Sequence, residues 1–267
     1  MTAHDAFQSG RLSEAIQLCI EGVRDDPTNI DLRAFLVELL CFNGELERAD
    51  KQLDTISTQN PETGVVIALF RQLVRAEQAR QDFFEEGRLP DFLDEPNDSI
   101  KLVLKASICL NNNETQEAIE LLTEAEEKRR EVNGTCNDQE FSGFRDLDDF
   151  CASFLEVFTS TGKYYWIPTD KINRIHFRPA EKPRDLLWRE TEMDVRDGPD
   201  GVVYLPCLYW NSHKHDDEAI RLGRATDWVE AEEGLVRGLG QKIFLAGDED
   251  LPIMQINDLV FATQADD

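Results

Sequence analysis

Gly10-Arg11-Leu12-Ser13-Glu14-Ala15 is answered later in the chain by Gly44-Glu45-Leu46-Glu47-Arg48-Ala49, and Pro27 by Pro61. Each matched pair is 34 residues apart. That is the period of the tetratricopeptide repeat, a helix hairpin that cannot bury its apolar face alone and therefore stacks on its neighbours. Between the two glycines, Leu12, Ala15, Ile16, Cys19, Ile20 and Val23 recur at helical spacing until Asp26-Pro27 ends the element. Asp31–Phe42 is apolar around much of its circumference and must be covered on more than one side. Ala15 and Ala49 stand where paired helices approach closely and a small side chain is required.

Further on, the register breaks. Val65–Phe84 reads as one long helix, with Val66, Leu69, Phe70, Leu73, Ala76 and Phe83 at steps of three or four, and Gly87, Pro90 and Pro96 surround a loop. Helical spacing resumes from Ser99 to Leu110 and, after Asn111-Asn112-Asn113, from Ala118 to Ala125. Asn113 and Ala118 repeat the spacing of Gly44 and Ala49 two periods later, with one residue inserted. The run Glu124–Glu131 reads as a solvated helix face with intrahelical ion pairs.

Composition narrows the function. Fifty-four acidic residues against 28 basic ones give a formal net charge of -26, which repels nucleic acid and anionic lipid and suits either basic partners or simple solubility. No apolar run is long enough for a membrane helix, and the start has no basic-then-apolar leader, so a cytoplasmic setting is expected. The six cysteines are scattered without a CxxC pair. Cys19, Cys41 and Cys109 fall among apolar helix positions, where a thiol acts as a small hydrophobe.

The second half changes period. One more helix is expected from Asp146 to Phe158, followed by strands at Tyr164–Ile167, stopped by Pro168, and at Ile172–Phe177. Glu192–Val195 and Val202–Leu205 form a hairpin through Arg196–Gly201. An echo at an offset of 40, Trp188 and Glu190 against Trp228 and Glu230 with Val203–Leu205 against Ile243–Leu245, would fit two copies of a small β-unit. Gly238-Leu239-Gly240-Gln241 reads as a turn entering a strand, not a dinucleotide loop, and neither GxxxxGK[ST] nor GxSxG occurs. His176 reads as structural. The cluster His213-Lys214-His215-Asp216-Asp217 alone has the residue types of a divalent metal shell, against a plain exposed loop.

Four stretches in order, Tyr164-Tyr165-Trp166-Ile167-Pro168, Arg184-Asp185-Leu186-Leu187-Trp188, Leu222-Gly223-Arg224-Ala225-Thr226-Asp227-Trp228 and Gly238-Leu239-Gly240-Gln241, resemble the ImpE family of SciE-type virulence proteins. The likeness runs from the first repeat to Asn257–Phe261. It implies an N-terminal α-α superhelix of degenerate tetratricopeptide-like repeats, residues 1–132, followed by a smaller mixed α/β domain, residues 145–267. It also implies a non-enzymatic cytoplasmic adaptor of a bacterial type VI secretion system. Such a protein binds a helix of the small contractile-sheath subunit and is linked to the AAA+ ATPase that disassembles the sheath. No catalytic set and no cofactor come with the family, and Trp166, Trp188, Arg224, Trp228 and Gln241 are its structural or interface residues. Leu36, Leu40, Val66, Phe70 and Leu73 are the expected lining of a partner groove. A metal-dependent reaction at His213, His215 and Asp216 is the alternative, and a structural scaffold a third reading.

Overall fold

The computed structural model describes residues 1–230 and 234–262. Seven helices come first: α1 (Ala3–Gln8), α2 (Leu12–Asp25), α3 (Ile30–Phe42), α4 (Leu46–Gln59), α5 (Gly64–Glu86), α6 (Asp98–Asn111) and α7 (Thr115–Lys128). α1 packs on α2, α3 on α4 and α6 on α7, with α5 beside α4.

The repeat is visible in its turns. Gly10, Gly44 and Asn113 have φ of 80°, 75° and 62°, a left-handed conformation that glycine adopts freely and asparagine tolerates. Each turn makes the same bond from the following N–H back to the carbonyl five residues earlier: Arg11 to Ala6 at 2.9 Å, Glu45 to Leu40 at 2.9 Å and Glu114 to Cys109 at 2.8 Å. Ala15, Ala49 and Ala118 are all wholly buried where the helices meet. Asn113 therefore does the work of the repeat glycine, one inserted residue notwithstanding. On α7, Lys128 pairs with Glu124 at 2.7 Å, and Arg129, just past the helix end, with Glu126 at 2.8 Å.

The strands are β1 (Asn133–Cys136), β2 (Gln139–Ser142), β3 (Phe144–Asp146), β4 (Phe154–Phe158), β5 (Tyr164–Pro168), β6 (Ile172–Phe177), β7 (Trp188–Val195), β8 (Asp200–Pro206), β9 (Thr226–Glu230), β10 (Val236–Gly240), β11 (Ile243–Ala246), β12 (Glu249–Pro252) and β13 (Asp258–Phe261). One short helix, α8 (Glu218–Arg221), precedes β9. An antiparallel eight-stranded sheet runs β2-β1-β13-β6-β7-β8-β4-β5, with a three-stranded sheet β12-β11-β3 and a ribbon β10-β9 beside it. The expected hairpin is present as β7 and β8, with Asp194 opposite Asp200. The free edge of β5 is covered by the segment between α5 and α6. Asp91 N–H donates to the Tyr164 carbonyl at 2.8 Å, and Trp166 N–H to the Asp91 carbonyl at 3.2 Å, blunting an edge that would otherwise pair with other chains.

Strand alternation places two cores back to back. In β4, Leu155 and Val157 join Phe144, Phe244 and Ile175 in a core within the β domain. Phe154 and Phe158 point the other way, with Trp166 and Trp188, into the core shared with α5. β4 is thus buried on both faces along its whole length.

Three expectations are corrected. Asp146–Phe158 is not a helix but the end of β3, a turn and β4. The Asp146 carboxylate accepts the Asp148 N–H, and the Asp148 carboxylate the Phe150 N–H, both at 2.9 Å, so these side chains build local turns in place of a helical ladder. The offset-40 echo is not a repeated unit: Glu190 pairs with Tyr204 inside the large sheet, whereas β9, which carries Trp228, pairs with β10 and not with β11. Gly238-Leu239-Gly240 lies within β10 and is not a turn before a strand. Gly240 (φ 89°) brings its backbone so near the Ala225 carbonyl that a Cβ would overlap the oxygen.

Candidate interdomain site

α5 is an apolar stripe interrupted by one buried cation, Arg80, and β4 is an apolar strand interrupted by one buried anion, Glu156. The two meet. Arg80 grips Glu156 with two bonds, Nε to Oε1 at 2.7 Å and Nη2 to Oε2 at 2.8 Å, and donates to the Leu208 carbonyl at 3.0 Å. Tyr164 donates its hydroxyl to Glu156 at 2.7 Å and accepts the Trp166 indole N–H at 2.6 Å. Lys242, on the connection between β10 and β11, reaches Glu156 at 3.2 Å and Asp146 at 3.1 Å. Tyr209 donates to the other oxygen of Asp146 at 2.7 Å. Nearer the helices, Glu77 takes Arg80 at 3.3 Å and the Trp188 indole N–H at 2.9 Å.

Each charge in this network has a partner of opposite sign, which offsets the cost of burying it. Burial works against the Glu156 carboxylate, but Arg80 and Lys242 outweigh it and hold the group at about 2. Burial likewise opposes the charges of Arg80 and Lys242, and their carboxylate neighbours raise both above their usual ranges. Asp146 is pushed up by burial against the pull of Lys242. The Tyr164 and Tyr209 hydroxyls, buried beside carboxylates, are raised and stay protonated donors.

Around this lock, the wall made by α1, α3 and α5 is covered by the β domain. Phe70 meets the Trp188 edge at 6.0 Å between ring centroids, and Phe83 meets Trp166 at 4.8 Å. Arg224 donates to the Phe7 carbonyl at 2.5 Å and to the Gln8 carbonyl at 2.8 Å, satisfying groups that the end of α1 leaves open. Gln241 secures the same loop through the Gly223 carbonyl at 2.7 Å. Arg221 bonds the Asn43 side chain, and the His213 ring lies against Gly44. Glu38 on α3 faces Arg184, and burial lifts its carboxyl to about 7 against that cation's pull.

The sequence-derived site residues separate. Leu36, Leu40, Phe70 and Leu73 are buried in the shared core, so they do not line an open groove, while Val66 is 52% exposed next to Val65 at 85%. The apolar circumference that suggested a groove is satisfied within the chain, by α2 and α4 packed on α3 and by Phe7 of α1 against Phe35 and Phe42. Trp166 and Trp188 belong to the junction, and Trp228 lies on Tyr209 with centroids 5.7 Å apart. His213 and His215 do not converge. The first abuts Gly44, while the second accepts the Asp217 N–H at 3.0 Å and faces Asp227 at 3.4 Å. His176 bonds Asp258 at 3.1 Å. Arg80, Glu77, Glu156, Asp146, Tyr209 and Lys242 escaped the sequence reading. Only Glu156 carried a signal, a single charge set inside the apolar run Phe154-Leu155-Glu156-Val157-Phe158; the others stand among polar neighbours or, like Tyr209, bear no charge to notice.

The profile of the ImpE protein family matches residues 138–260, and that of a tetratricopeptide repeat matches residues 6–73. The chain belongs to the ImpE family. It joins a helical-repeat region to a mixed α/β domain. The type VI secretion system accessory component TagJ of Pseudomonas aeruginosa is 29% identical over 262 residues, 98% of this chain and 91% of TagJ. The crystal structure of protein VPA1032 from Vibrio parahaemolyticus superposes with a TM-score of 0.92 at 31% identity, over 98% of each chain. Among the described residues of this ImpE protein, no helix is long and apolar enough to cross a membrane.

Proposed function

We propose that this ImpE protein is a non-catalytic accessory component of a bacterial type VI secretion system. It acts as an adaptor that holds a helix of the small contractile-sheath subunit and so links the sheath to the AAA+ ATPase that disassembles it. The observation that carries the reading is the end-to-end likeness to TagJ, which includes both the repeats and the β domain. The site's chemistry supports it. Arg80, Lys242, Glu156 and Asp146 spend their charges on one another in a sealed junction, the behaviour of a clamp between domains. The helix-docking face, in this reading, includes the exposed start of α5 at Val65 and Val66, because the rest of the expected groove is interior. A few apolar anchors there would supply affinity, with the surrounding acidity steering a basic helix edge.

Titration calorimetry of the full chain against the isolated small sheath subunit tests this. Saturable binding is expected, and should be lost when the subunit lacks its docking helix or when Val66→Asp is introduced. No binding by folded protein at about 50 µM overturns the adaptor reading.

A further inference from the structure

A cavity of about 270 Å³ opens between the segment that covers β5 and the turn joining β7 to β8. Its apolar lining includes Phe92, Leu93, Trp166, Pro168, Val195 and Pro199. It is preformed: the covering segment is held by the backbone bonds of Asp91 to Tyr164 and Trp166, and Phe92 stands edge-on to Trp166 at 6.3 Å. The volume is below that of a typical metabolite or drug pocket and suits one or two side chains. Exposed apolar surface continues outward at its lip, where Leu93 is 40% exposed and Leu89 on the same segment 65%.

Charge picks the occupant. Three carboxylates, Asp94, Glu95 and Asp197, and one ammonium, Lys171, line the cavity. Glu95 is engaged by Lys101 at 2.7 Å, whereas Asp94 and Asp197 are solvent-facing. The field around them is that of a chain with net charge -26. A pocket apolar at its floor and acidic at its rim fits an apolar side chain flanked by lysine or arginine.

We propose that this cavity is a docking pocket for a basic, apolar-anchored peptide segment of a protein partner. It lies away from the α5 start and does not depend on the sheath reading, so either can fail alone. The anchor occupies the space among Phe92, Leu93, Pro168 and Pro199, and the flanking cations meet Asp94 and Asp197.

The test is fluorescence anisotropy of the full chain with three labelled peptide amides: Lys-Lys-Leu-Phe-Lys-Lys, its charge-reversed form Glu-Glu-Leu-Phe-Glu-Glu, and its anchorless form Lys-Lys-Gly-Ser-Lys-Lys. The first is expected to bind at about 50–500 µM, the range for a side-chain-sized pocket, and at least about fivefold tighter than either control. Asp94→Asn with Asp197→Asn should weaken it several-fold, and Leu93→Ala likewise. Both positions face solvent, and asparagine tolerates the positive φ of 55° at Asp197, so the doubly substituted chain keeps its fold, which an unchanged melting curve verifies. Equal binding of the charge-reversed peptide, no saturation by about 1 mM, or unaltered affinity in the doubly substituted chain each overturns the proposal. So does concentration-dependent dimerisation abolished by the same substitutions, which would assign the pocket to a second copy of the chain.

Discussion

Replacing Arg80 with methionine removes the cation that holds Glu156 but keeps most of the aliphatic volume. The Glu156 carboxylate then retains Lys242 at 3.2 Å and the Tyr164 hydroxyl at 2.7 Å, and Lys242 is shared with Asp146. One buried carboxylate is left under-compensated and the Leu208 carbonyl loses its donor. Breaking one side of a buried pair costs about 3–5 kcal/mol. In a chain of this size each kcal/mol moves the melting temperature by about 2–4 °C, so Arg80→Met should melt about 6–20 °C lower than the parent by circular dichroism. Adding Glu156→Gln removes the orphaned charge. The double variant should recover part of that loss, a coupling of about 1–3 kcal/mol between neighbours in one network. If Arg80→Met melts within about 2 °C of the parent, or the two losses simply add, the junction is not held by this pair and the reasoning fails.

Acid titration should separate two carboxyls of opposite behaviour. Glu156, held at about 2 against an ordinary 4.5, contributes stability that is present above 4.5 and lost as pH falls toward 2, so a Glu156→Gln series should lack that acid-side decline. Glu38, lifted from 4.5 to about 7, contributes stability that is present below 4.5 and lost as pH rises through 7; Glu38→Gln should therefore gain on its parent across that window when melting is followed against pH. Gly44 and Gly87 share a φ of 75°, but a Cβ meets nothing at Gly87 and overlaps the His213 ring at Gly44. Gly87→Ala should cost about 1–2 kcal/mol in urea unfolding and Gly44→Ala about 1–3 kcal/mol more, an excess that His213→Ala should relieve. If the acidic surface captures the sheath subunit, its association rate should fall at least about tenfold between roughly 50 and 500 mM salt with little change in dissociation. A flat association rate in stopped flow would leave the charge to solubility alone.

The helical half was legible because its information is local. Glycine turns, small residues at helix crossings and a 3.6-residue period are written within one repeat, and even the substitution of Asn113 for a glycine obeys the same backbone requirement. The β half hides more. All of Phe154–Phe158 is buried, and a strand covered on both faces has no alternation to read, so a short apolar run passes equally for a helix. Asp146 and Asp148 look like surface residues until Lys242 and Arg237, the latter 3.0 Å from Asp148, arrive from about ninety positions later. Leu36, Leu40, Phe70 and Leu73 are interior for a related reason: an all-round apolar α3 says that something covers it, not whether the cover is another protein or the same chain. Of the tryptophans expected at structural or interface positions, Trp166 and Trp188 are buried in the junction, whereas Trp228 is 36% exposed beside Tyr209.

The coverage of one helical wall by the chain's own later strands sets an order of events during synthesis. Arg80 lies 76 residues ahead of Glu156, and Lys242 follows later still. At about 5–20 residues per second, the nascent helices spend roughly 4–15 s with Phe70, Phe83 and the Arg80 guanidinium facing water before the first strand that answers them has been made. A ribosome-stalled chain ending after α7 should therefore be cut readily within α5 by added protease and be held by general chaperones, whereas a chain stalled after β11 has cleared the exit tunnel should resist. Maturation of this protein is gated by its last third, and truncations that look harmless to the repeats should be degraded in the cell.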